Sequence, residues 1–194
     1  MSTVATDIQA MLKTAGVPML KTSAAKKPAE PKARPLSADL TAALRQQVGN
    51  EAFAAYSYLG VSAWFRQLGL EGFARYHERL GNNGIGYAKK IFAQMLASGA
   101  EASLPAIPAP LVTYDSPEHA ARTIMEYERQ GTASWRAIAE QAVQDKNEAV
   151  LVLSDWFLKV QLSEEQQATL LYQRLQMTAG KAAGLQAIDK ELTK

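Results

Sequence analysis

Apolar side chains recur at alternating steps of four and three along residues 37–69. Leu44, Val48, Glu51, Ala55, Tyr58, Ser62 and Phe65 fall on one line, the period of a helix packed lengthwise against others. Ser37 suits an N-cap, Asp39 puts a negative charge on the first turn, and no proline interrupts the run before Gly69. The same periodicity predicts helices at about 71–98, 117–145 and 147–178, with Gly180 and Gly184 setting off a short final piece, GLQAIDKEL. Between the second and third helices stand Pro105, Pro108, Pro110 and Pro117, in a connection longer than antiparallel neighbours need. No β-rich stretch competes. The pattern predicts an all-α four-helix bundle with a long crossover and a short fifth, C-terminal helix.

The first 36 residues have another character. Val4, Ile8, Met11, Leu12 and Ala15 mark an amphipathic helix over residues 4–15, stopped by Gly16 and Pro18. Twelve residues are too few to be stable alone in water, so this helix frays or docks its apolar face on something. Thr22 to Pro35 is rich in Ala, Lys and Pro and reads as a linker. Residues 1–36 are thus expected to be an N-terminal helix-plus-linker extension and 37–194 the helical bundle. A docking peptide on a tether is one reading of the extension; a disordered or processed leader is the other.

Composition narrows the chemistry. The 194 residues are 47% apolar, enough for a core, and include no Cys and two His. Disulfides, thiolate metal sites and histidine-rich centres are excluded, so a metal here must lean on carboxylates. Residues 1–36 hold six Lys/Arg against two acids, and the remainder fifteen against seventeen. The basic balance belongs to the extension, the body lacks an electrostatic footprint for nucleic acid, and nucleic acid is not an expected partner. No apolar run is long enough to span a membrane. A secretory signal pattern is also lacking, which points to the cytoplasm or an organelle interior.

Glu51 lies inside the apolar stripe of the first helix. Glu128 shares a stripe with Ala121, Ile124, Gly131, Trp135 and Ile138, and Gln161 and Glu164 share one with Leu153, Phe157, Ala168 and Leu171. A carboxylate in a low-dielectric core is costly and normally neutralises, pairs or binds metal. Inward carboxylates from several helices are the design of di-iron bundles. The alternative is that these acids pair with Arg or Lys or face solvent.

The chain resembles the bacterial type of non-haem ferritin from about Leu40 to Leu192. The resemblance rests on Asn50-Glu51 through Ala55, Tyr58, Leu59, Ser62, Ala63, Trp64 and Phe65, and on the turn Leu70-Glu71-Gly72-Phe73. It continues in Tyr114-Asp115-Ser116, Tyr127-Glu128, Trp156-Phe157, Gln161, Glu164-Glu165 and Ala187-Ile188-Asp189-Lys190-Glu191-Leu192. It implies a ferritin-like fold with Glu51, Glu128 and Glu164 as iron ligands, Gln161 as the near-site glutamine and Tyr58 as the near-site tyrosine. The second helix departs from the pattern: the implied bridging carboxylate is Gly84 and the implied imidazole is Tyr87. Asn83, Val160 and Ser163 stand where the family carries acids, so an additional iron site also looks dismantled.

Two metals need a shared ligand to hold like charges about 3.5–4 Å apart. Without it, the three remaining glutamates are expected to hold at most one loosely bound, low-occupancy iron, with no residue in a catalytic role. His77 and His119 do not rescue the centre and are expected on the surface or in packing. Gly81, Gly84 and Gly86 each cost on the order of 1 kcal/mol in a helix. Either another backbone or a bulky ligand approaches there, or constraint relaxed once the metal was lost. The resemblance with its departures implies a non-catalytic structural or accessory subunit, partnered with other protein subunits in a homo- or hetero-oligomer and docked through residues 4–15. An iron-storage cage subunit, co-assembling with active subunits, is the alternative.

Overall fold

The computed structural model describes residues 35–101 and 103–193. The expected helix at 4–15 and the linker after it lie outside the described residues. Five helices follow in order: α1 Ala38–Gln67, α2 Glu71–Ala97, α3 Pro117–Gln144, α4 Glu148–Thr178 and α5 Ala182–Leu192. The architecture is an all-α four-helix bundle with a short fifth helix. α1 packs against α2, α3 against α4 and α1 against α3, while α5 lies against α2 and α4. Among the described residues no helix is long and apolar enough to cross a membrane.

Local chemistry sets the ends. The Ser37 hydroxyl accepts from the Leu40 amide at 3.1 Å and caps α1. Ser116 caps α3 through the His119 amide at 3.0 Å, with Pro117 at the first helical turn, and Asn147 caps α4 through the Val150 amide at 3.1 Å. α1 turns back into α2 through Gly69 at φ 73°, a left-handed position that glycine occupies without a Cβ penalty. The connection from α2 to α3, predicted as a crossover, is free of helix from Ser98 to Ser116 among the described residues.

The first helix stripe is buried throughout, from Leu44 to Phe65. The core has two apolar clusters. One gathers Phe65, Phe73, Ile124, Leu171 and Ile188; the other gathers Leu44, Ile91, Trp135, Val150 and Phe157. The buried Glu51 and Glu128 belong to neither.

α5 begins at Ala182, so Gly184 lies inside the helix and not at its start, a correction to the sequence reading. The reason is contact: a Cβ at Gly184 would lie 2.9 Å from the Thr178 side chain at the end of α4. Asp189 then accepts the Phe73 amide at 2.9 Å, placing a carboxylate at the N-terminal turn of α2. A Cβ at Gly72 would come within 1.8 Å of the Asp189 carbonyl oxygen, so this glycine is required for the docking of α5.

Candidate functional site

Glu51 from α1, Glu128 from α3 and Glu164 from α4 line one cavity of about 140 Å³, together with Tyr58, Gly84, Tyr87 and Gln161. All seven residues that the sequence singled out therefore meet at one place. Periodicity explains it: each glutamate occupies the inward position of its helix, where its neighbours one turn away are core side chains.

Glu51 is 7% exposed and Glu128 5%. Among the described residues the cavity is lined by no Lys, Arg or His. Neutral donors hold the carboxylates instead. Glu51 Oε1 accepts from Gln47 Nε2 and from Trp135 Nε1, each at 3.0 Å. Glu128 accepts the Tyr58 hydroxyl on Oε1 and the Gln161 amide on Oε2. Glu164 Oε1 accepts the Tyr87 hydroxyl at 3.0 Å.

Burial without a cation moves the acids upward. Desolvation raises Glu128 to about 7 against the opposing bonds from Tyr58 and Gln161. Desolvation, then the charge of Glu128, raises Glu164 to about 7. Glu51 is raised as well, again chiefly by burial and against the bonds from Gln47 and Trp135. Burial thus favours the protonated form of all three carboxylates relative to acids in water. The Tyr58 and Tyr87 hydroxyls are held protonated by burial and by the adjoining acids, which suits their role as donors.

Position 87 carries a packed ring. Tyr87 meets Trp156 and Phe157 edge-on, with centroids 5.9 and 5.8 Å apart. Phe157 in turn stacks on Trp135 at 4.0 Å, behind Glu51. At position 84 an added Cβ would lie 3.1 Å from Ala55 Cβ and 3.3 Å from the Glu51 carbonyl oxygen. Gly81 is similar, 3.1 Å from the Ala55 carbonyl oxygen, whereas Gly86 faces open space. Gly81 and Gly84 let α1 and α2 approach closely, as one sequence reading held; contact does not explain Gly86.

The two histidines lie apart from the cavity lining. His77 is fully buried between Phe65, Tyr58 and Tyr76 rings, its Nδ1 2.7 Å from the Phe73 carbonyl oxygen, and burial lowers it to about 4. His119 is a partly buried residue of the α3 N-terminus, paired with Asp115 at 3.1 Å. Among the described residues no three His, Cys, Asp or Glu side chains are grouped so as to hold a metal ion.

Sequence reasoning missed the outer layer of the site. Gln47 is buried, and its Oε1 accepts from Ser134 Oγ at 2.6 Å and from Asn50 Nδ2 at 3.1 Å while its amide holds Glu51. The signal was present: Gln47 stands four residues before Glu51, on the same face. Trp135 was recognised as core, but its N–H, which must find an acceptor when buried, was not assigned. Thr132 likewise links α3 to α4 by donating to Glu165 Oε2 at 2.5 Å.

Comparison with known proteins bears on the family and the fold. A model of the ferritin-like domain matches residues 41–178. Similar proteins include a bacterial non-heme ferritin of Staphylococcus epidermidis, 32% identical over 130 residues that span 67% of this chain and 78% of the relative. Another is the bacterial non-heme ferritin of Staphylococcus aureus, 28% identical across 81% of this chain and 95% of that protein. A solved structure described as a novel open pore ferritin from Archaeoglobus fulgidus superposes with a TM-score of 0.78 at 28% identity, covering 81% of this chain and 97% of that one. Helix order, inward glutamates and a match across most of the bundle lead to one assignment: the chain belongs to the ferritin family.

Proposed function

We propose that this chain is a ferritin-family shell or accessory subunit without a complete ferroxidase centre. The observation that carries the proposal is the pair of substitutions in α2. Tyr87 spends its hydroxyl on Glu164, and Gly84 packs against Ala55 and offers no ligand. A di-iron centre needs a ligand shared between the metals, and the residues at this cavity do not fit one. The carboxylates are met by Tyr, Gln and Trp donors, which satisfy them without a metal charge. Any ferrous iron taken up here is a single loosely held ion on Glu51, Glu128 or Glu164, delivered as cargo and not turned over.

Residues 4–15, outside the described residues, are the segment we assign to docking on a larger assembly, and deletion of 1–36 tests this by loss of co-purifying subunits. The test of catalysis is aerobic oxidation of ferrous ion followed optically with purified full-length protein. The proposal gives a rate equal to buffer alone; a protein-dependent burst contradicts it.

Storage in a multi-subunit shell is the second reading, favoured by an exposed apolar band. Leu59 and Ile85 from the first two helices, with Leu104, Ile107, Leu111 and Val112 of the crossover, are all 39% exposed or more. Such a band on a soluble protein marks association. Particle mass by light scattering separates the readings: a large closed assembly of this chain alone supports a storage shell, and a monomer or dimer supports the accessory role.

A further inference from the structure

A second cleft, of about 360 Å³, opens between α2 and α4 beside the carboxylate cavity, and its lining includes Arg79, Asn83, Lys159, Ser163, Glu164 and Gln167. All three positions that the sequence marked as lost acids, Asn83, Val160 and Ser163, meet here without having acquired a role in the site already described. Arg79 and Asn83 are one turn apart on α2. Lys159, Ser163 and Gln167 step along α4 at intervals of four, so each set shares a helix face.

The donors of this cleft are largely unspent. Arg79 makes no ion pair among the described residues; its guanidinium lies over the Tyr76 ring, 5.6 Å from the centroid, a contact that leaves its N–H groups available. The Asn83 amide has no hydrogen-bond partner among them. Ser163 Oγ accepts from Gln167 Nε2 at 3.1 Å, which leaves the serine proton for another acceptor. Lys159 Nζ lies 2.7 Å from Asp155 Oδ2, but the two side chains are 74% and 64% exposed. Such a pair is weak and readily exchanged for another anion. Glu164, the acid in the lining, has Oε1 engaged by Tyr87.

We propose that this cleft binds a tetrahedral oxyanion of the phosphate type between Arg79 and Lys159, with the Asn83 amide and Ser163 hydroxyl as neutral donors. A guanidinium fork matches two oxygens of such an anion, and an ammonium on the opposite helix adds a point charge. Cations on the two facing helices favour an anion in the cleft, whereas the same charges oppose a divalent cation. The site is independent of whether the neighbouring cavity oxidises iron, so failure of either proposal leaves the other standing.

The test is calorimetric titration of the full-length, chelator-treated protein with inorganic phosphate at low ionic strength, alongside adenosine monophosphate. The proposal gives saturable binding that weakens with salt, with Arg79→Gln and Lys159→Gln each reducing affinity about tenfold or more. Equal affinity for the two probes assigns the free anion, and tighter binding of the nucleotide assigns a nucleotide-borne phosphate; both support the oxyanion site. Asn83→Asp with Ser163→Asp restores negative charge and should abolish binding. All four positions are exposed, so the variants keep the native thermal midpoint to within a few degrees. Absence of saturable phosphate binding, or undiminished affinity in the Arg79→Gln/Lys159→Gln double variant, overturns the proposal.

Discussion

The Tyr87 hydroxyl donates a 3.0 Å hydrogen bond to Glu164 Oε1, joining α2 to α4 across the mouth of the carboxylate cavity. Tyr87→Phe keeps the ring against Trp156 and Phe157 and removes this bond alone. The expected loss is about 1 kcal/mol in urea denaturation, the usual net value of one hydrogen bond. An unchanged midpoint would place the bond among those that water replaces freely.

The glycines of α2 divide by what surrounds them. Gly86 faces open space, so Gly86→Ala should stabilise by about 0.5–1 kcal/mol through helix propensity. Gly84→Ala forces Ala55 and the Glu51 carbonyl to give by a few tenths of an ångström and should destabilise by about 1–2 kcal/mol. Thermal unfolding of the two variants checks the opposite signs. It follows that restoring a metal site by Gly84→Glu with Tyr87→His works best when Ala55→Gly is added to make room.

pH acts on the cavity with a definite sign. Glu128 and Glu164 are raised from 4.5 to about 7, so between those values the folded state holds protons that the unfolded chain has released. Their contribution to stability is full below pH 4.5 and is lost as pH rises through about 7. His77 opposes this: lowered from 6.5 to about 4, it contributes above 6.5 and loses that contribution as pH falls through about 4. In chelator-treated protein, Glu128→Gln should therefore flatten the decline in stability between pH 4.5 and about 7, a difference on the order of 1–3 kcal/mol. A slope identical to that of the native chain would mean that Glu128 titrates normally.

Gly72 and Asp189 give a separate test of the fold. Gly72→Ala drives a methyl into the Asp189 carbonyl and should release α5, with a loss of about 2 kcal/mol or more and rapid amide exchange across Ala182–Leu192. Retained protection in α5 would show that the helix can shift without undocking.

Helix order, crossover and inward stripes were legible because lengthwise helix packing imposes its period on the sequence. The stripe carrying Glu51 placed that carboxylate correctly, and the stripes of Glu128 and Glu164 did the same. What the sequence hid depends on distance and not on period. Nothing in it told that Gly81 and Gly84 touch Ala55 while Gly86 touches nothing, since all three look alike as helix breakers. The long-range partners of the carboxylates were equally hidden: Gln47 reaches Glu51 from one turn away on the same helix, but Trp135 reaches the same oxygen from α3, and only the relative rotation of the two helices brings it there. Gly184 misled the reading of α5 because a glycine there serves contact with Thr178 and does not end a helix.

Anomalous diffraction at the iron edge, on crystals soaked anaerobically in ferrous salt and then exposed to air, decides whether paired irons assemble in the carboxylate cavity. No paired peaks are expected among Glu51, Glu128 and Glu164, and at most one weak site of partial occupancy. Two neighbouring irons about 3.5–4 Å apart at full occupancy would contradict that expectation.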